Sequence, residues 1–125
     1  MILVDSSVWI DHLRRKEPRL SAALESGFVM CHPFVIGELA CGHLRSRHQM
    51  ITALAQLPAA PVASHAAEAL GFLERHALAG RGIGWSDIHL LASAALADGA
   101  LLWTRDKRLA VAADKLGLAF DREIH

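Results

Sequence analysis

Short apolar runs that give way at once to helix-spaced patterns constrain this chain more than any other feature. Ile2-Leu3-Val4 leads through Asp5 into a helical stretch over 6–13, and Phe28 to Cys31 leads through Pro33 into a helix whose core face is Ile36, Leu39 and Ala40. Ala100 to Thr104 leads into a helix with Leu109, Ala112, Ala113 and Leu116 on one side. Uninterrupted apolar runs of this kind suit strands covered on both faces, and their alternation with helices predicts an α/β fold. The expected architecture is a three-layer α/β/α sandwich around a mainly parallel sheet.

The remaining segments fill in the same scheme. Pro18 suits the start of a helix carrying Leu20, Ala23 and Leu24, which Gly27 stops. Met50, Ala53, Leu54 and Leu57 mark another, closed by Pro58 and Pro61, with Pro61-Val62-Ala63 as a weak strand. Leu70, Leu73 and Ala77 space a helix over 64–78, and Gly80, Gly82 and Gly84 make a connection read as a hinge or turn. Ser86 then suits the cap of a helix with Ile88, Leu91, Ala92, Ala95 and Leu96 on its core face, terminated by Gly99. Leu118-Ala119-Phe120 supplies a last short strand. At 125 residues and 53% hydrophobic content, the chain is expected to form one domain over 1–125.

Four acids fall at telling places in this scheme. Asp5 and Asp106 follow strands, Asp87 opens a helix, and Glu38 lies off the apolar face of the helix after the second strand. In a parallel sheet such junctions share one edge, where open α/β folds bind ligands. Taken singly, Asp5 and Asp106 are as well explained as N-caps, Asp87 as a first-turn acid and Glu38 as a solvated surface group. Taken together, carboxylates crowded at one edge repel each other unless protons or cations intervene, so a divalent metal is the expected occupant.

The segments MILVDSSVWIDHL, PFVIGELACG and WSDIHLLASAALADGALLWTRDKRL, in this order, resemble PIN-domain nucleases, in particular the toxins of VapBC toxin–antitoxin pairs. The resemblance covers nearly the whole chain. It implies that Asp5, Glu38, Asp87 and Asp106 are the catalytic, metal-binding acids, with Glu38 binding directly or through water. Ser6 or Ser7, after the first aspartate, and Thr104, before the last, would be supporting hydrogen-bonders. It also implies Mg²⁺ or Mn²⁺ dependence, an RNA substrate, a VapB-type antitoxin partner and a homodimer. The expected reaction is attack of metal-activated water on an RNA phosphodiester, leaving a 3′-hydroxyl and a 5′-phosphate.

Other features narrow the alternatives. Thirteen basic and thirteen acidic residues cancel, so a substrate polyanion would need a local grip, for which Arg105, Lys107 and Arg108 around Asp106, and Arg81 in the glycine-rich connection, are candidates. Trp85 and His89, on either side of Asp87, are expected to pack or support, and Trp9 and Trp103 to lie in the core or an interface. Cys31 and Cys41 make no disulfide framework and, with His32 and His43, lack zinc-site spacing. No leader or membrane span is expected, which points to the cytoplasm. A non-catalytic PIN-like interaction module, its acids serving only as caps, is the alternative reading.

Overall fold

The computed structural model describes residues 1–62 and 66–120. Strand β1 (Ile2–Val4) lies between β2 (Val29–Met30) and β3 (Leu101–Trp103), and all pairings are parallel. Ile2 is level with Val29 and Leu101, and Val4 with Trp103. Single parallel bridges continue the sheet outward on both sides, from Cys31 to Ala59 and from Leu102 to Ala119.

Helices α1 (Ser6–Arg14), α2 (Pro18–Glu25), α3 (Pro33–Ala40), α4 (Arg47–Ala55), α5 (Ala66–Arg75), α6 (Trp85–Leu96) and α7 (Lys107–Lys115) complete the three-layer α/β/α arrangement. Parallel neighbours need crossovers, and each strand here delivers the chain directly into a helix. Leu3, Val4, Val29, Leu102 and Trp103 are buried, meeting Val8, Leu20, Val35, Leu39, Leu90, Leu91 and Leu109 from the helices. Packing of α1 on α3, α3 on α4 and α5 on α6 closes the layers. Among the described residues no helix is long and apolar enough to cross a membrane.

Several local expectations shift. Pro61 and Val62 form no strand: the bridging backbone is Pro58 to Ala60, where the Cys31 N–H donates to the Pro58 carbonyl and the Ala60 N–H to the Cys31 carbonyl. Ala63 lies outside the described residues, as does Ser64 at the expected start of α5. The α6 cap is Gly84 rather than Ser86, which sits inside the first turn. On α5 the buried residues are Ala69 and Phe72, while Leu70 is exposed. Burial on α6 runs unbroken from Ile88 to Ala94 and then stops, leaving Ala95 and Leu96 exposed where the helix leaves the core. That helix ends at Leu96, and Gly99 (φ +72°) serves instead in the turn into β3.

Candidate active site

The parallel register sets the site. Because Val4 is level with Trp103, Asp5 and Thr104 are the next residues along at the carboxyl edge, and Asp5 N–H donates to the Trp103 carbonyl at 2.9 Å. Asp5 is also the N-cap of α1, with its carbonyl accepting from Val8 N–H, but its side chain makes no capping bond. The carboxylate is buried at 5% exposure. Its partners are hydroxyls: Ser7 Oγ and Thr104 Oγ1 each donate to Oδ2 at 2.7 Å. Both hydroxyls are themselves fixed, because Ser7 Oγ accepts from Arg105 N–H and Thr104 Oγ1 from Asp106 N–H.

Ser6 extends this network across the layers. Its hydroxyl donates to Glu38 Oε2 at 2.8 Å and lies 3.5 Å from Asp5 Oδ1. Glu38 belongs to α3, which starts at Pro33 behind His32, whose Nδ1 caps the helix by accepting from Phe34 N–H at 2.9 Å. Glu38 is exposed, so its charge costs little and Ser6 aims it toward Asp5.

Asp87 and Asp106 each do two things. Asp87 Oδ2 accepts from Gly84 N–H at 3.1 Å, tying down the first turn of α6. Its carboxyl is pushed above the usual range, first by burial and then by the negative charges of Asp5, Asp106 and Glu38, against the opposing Gly84 bond. Asp5 and Glu38 are joined through Ser6, and Thr104 joins Asp5 to the Asp106 backbone, while Asp87 feels the charge of the other three acids. Asp106 caps α7, with Oδ1 accepting from Arg108 and Leu109 N–H groups, so the capping explanation holds for it as well. Among the described residues, no group of three or more His, Cys, Asp or Glu side chains forms a ready-made ion cage. Cys31 is buried, with its thiol pushed up to about 11 by burial, and Cys41 is exposed.

The basic candidates divide. Arg105 is already engaged: its guanidinium pairs with Asp11 of α1 at 2.6 Å and with Glu17, the N-cap of α2. This ties the end of β3 to the α1–α2 connection, a role that sequence reasoning missed. Spacing held no signal for it, since the partners lie 94 and 88 residues away. Arg81, whose Nε donates to the Ala77 carbonyl at 2.8 Å, lines one shallow hollow of about 340 Å³ with Lys107, Arg108, Val111 and Ala112. Gly82 makes that possible, because a Cβ there would lie 2.6 Å from the Arg108 side chain.

The architecture, with acids from two strand ends and two helices at the carboxyl edge of a parallel sheet, defines a PIN-type protein. The chain belongs to the PIN-domain family, whose sequence profile matches residues 2–115. It is similar to Ribonuclease VapC32 of Mycobacterium tuberculosis, at 48% identity over 124 residues in strain CDC 1551 / Oshkosh and equally in strain ATCC 25618 / H37Rv. Each alignment spans 99% of this chain and 99% of that protein, which meets the expectation of a VapC-type relationship.

Proposed function

We propose that this protein is the toxin of a type II toxin–antitoxin pair, a divalent-metal-dependent endoribonuclease with one PIN unit over residues 1–125. The reading extends to a VapB-type antitoxin partner, a homodimer and action in the cytoplasm. The observation that carries it is the hydroxyl network at the carboxyl edge, in which Ser6 joins Asp5 to Glu38 and Thr104 joins Asp5 to the Asp106 backbone. The name and coverage of the 48% identical ribonucleases support the same activity.

The residues fit a hard cation. All four are oxygen donors, and Asp5 Oδ1 has only a long contact while Oδ2 takes two short ones. Mg²⁺ is ordinarily held by one or two carboxylates with waters and substrate phosphate completing the shell, so a closed protein cage is not required. Asp5, Asp87 and Asp106 would hold the ion, Mg²⁺ or Mn²⁺, with Glu38 binding it directly or through water. When bound, it supplies Lewis acidity and lowers the pKa of a water molecule. Ser7 and Thr104 fix the rotamer of Asp5, and Ser6 fixes Glu38 beside it. Arg81, Lys107 and Arg108 offer a local grip on the phosphate backbone that net charge does not provide.

The capping bonds of Asp106 and Asp87 are what favour the alternative, a non-catalytic interaction module. Incubating purified protein with structured RNA, with and without Mg²⁺ or Mn²⁺, separates the two. Cleavage that requires metal and is lost in Asp5→Asn and Asp87→Asn is expected. Cutting that persists under chelator, or that ignores both substitutions, contradicts the assignment.

A further inference from the structure

We propose that Phe34 and Trp85 form a stacking platform for an unpaired base of the RNA, beside the acid pocket. The proposal rests on the nuclease reading and adds a determinant of substrate choice. The chain has four Phe, three Trp and no Tyr, and most of these rings are covered. Trp9, Phe72 and Trp103 are buried, and Phe120 is half-buried against Trp103. Three remain exposed: Phe28, Phe34 and Trp85, at 56, 37 and 43%. Phe28 precedes β2 at the amino edge of the sheet, where its carbonyl accepts from Ile2 N–H. Phe34 and Trp85 are at the carboxyl edge and converge.

Their convergence point is His89. Trp85 meets it edge-on, with ring centroids 4.8 Å apart and planes at 88°, because residues four apart on α6 share a face. Phe34 meets the same imidazole at 4.7 Å from α3, and His32 backs Phe34 at 5.0 Å. Both histidines are buried, so the exposed rings rest on a fixed base. His89 Nδ1 is buried without a hydrogen-bond partner among the described residues, which places an unsatisfied polar atom under the platform. Rings held this way lose little freedom when a flat partner settles on them.

The occupant follows from what lies next door. Phe34 is one helical turn ahead of Glu38 on α3, and Trp85 shares the first turn of α6 with Asp87. Each ring thus lies within one turn, about 5.4 Å along the axis, of an acid on its own helix, which suits a base next to a phosphate held at the acids. Base–aromatic stacking tolerates any sequence, and unpaired bases are the ones free to stack, which fits single-stranded or looped RNA.

The test uses labelled oligoadenylate, with binding followed by anisotropy under chelator so that no strand is cut. Phe34→Ala and Trp85→Leu are expected to weaken binding about tenfold each, with Trp85→Phe within about threefold of wild type, and Phe28→Ala unchanged. Leucine preserves bulk against His89 without a stacking face, and thermal melts establish that each variant is folded. With Mg²⁺, replacing the base beside the cut by an abasic residue should slow the wild type and leave Trp85→Leu little further affected. Wild-type affinity in both Phe34→Ala and Trp85→Leu, or equal loss in Phe28→Ala, overturns the platform. Binding with this variant pattern but no metal-dependent cutting overturns the nuclease reading instead.

Discussion

Asp5 is buried and, among the described residues, held by the hydroxyls of Ser7 and Thr104 with no cationic side chain bonded to it, so its surroundings decide what the site can do. Thr104 is the most exacting of those surroundings, since its single hydroxyl donates to Asp5 and accepts from Asp106 N–H. Thr104→Val keeps the shape and removes both bonds. A loss of about 1–3 kcal/mol, read from the urea midpoint, is expected, together with weaker cleavage because Asp5 is freed to rotate. His32 offers a pH test. Burial, then the neighbouring His89, lowers its pKa from 6.5 to about 4, and protonation would also end the acceptance from Phe34 N–H. The folded state therefore binds fewer protons than the unfolded one between these values. This contribution is complete above pH 6.5, is lost progressively as pH falls from 6.5 to about 4, and amounts to about 3 kcal/mol. Urea titrations from pH 4 to 7 should show that slope, flattened in His32→Asn, where an amide oxygen can still cap α3.

Among elements, the junctions were the legible part. An apolar run followed by an acid and a helical pattern located β1, β3, α1 and α7, because strand and helix periods differ and the switch falls on the acid. Faces of helices were less legible. The spacing of Leu70, Leu73 and Ala77 identifies α5 as a helix, yet Ala69 and Phe72 are its buried residues, since the neighbours set which apolar residue turns inward. The glycine-rich connection carries its own prediction. Gly82 has φ +76° and a Cβ added there would meet the Arg108 side chain at 2.6 Å, so Gly82→Ala strains the backbone by about 1 kcal/mol and pushes a flexible guanidinium aside. Cleavage kinetics of Gly82→Ala should show KM raised as far as in Arg108→Ala, with a small drop in melting temperature. An unchanged KM in both variants removes the hollow from substrate binding.

At the scale of the molecule, the 13 basic and 13 acidic residues cancel and supply no net attractive charge, so the proposed function needs a local grip, for which the hollow of Arg81, Lys107 and Arg108 is the candidate. Single strands release counterions with a slope near −0.7 per phosphate contacted, so three contacts predict a log–log salt slope of about −2. Anisotropy titrations across a salt series would reveal a steeper slope if a wider surface takes part. The fold class and the order of the acids follow from the sequence because they rest on local periodicity and on chain neighbours. Where those acids meet does not. That Ser6 links Asp5 to Glu38, that Arg105 turns to Asp11 and Glu17, and that Phe34 and Trp85 share His89 depended on the parallel register. These contacts join residues far apart along the chain, and only packing the helices against the sheet fixes such distances.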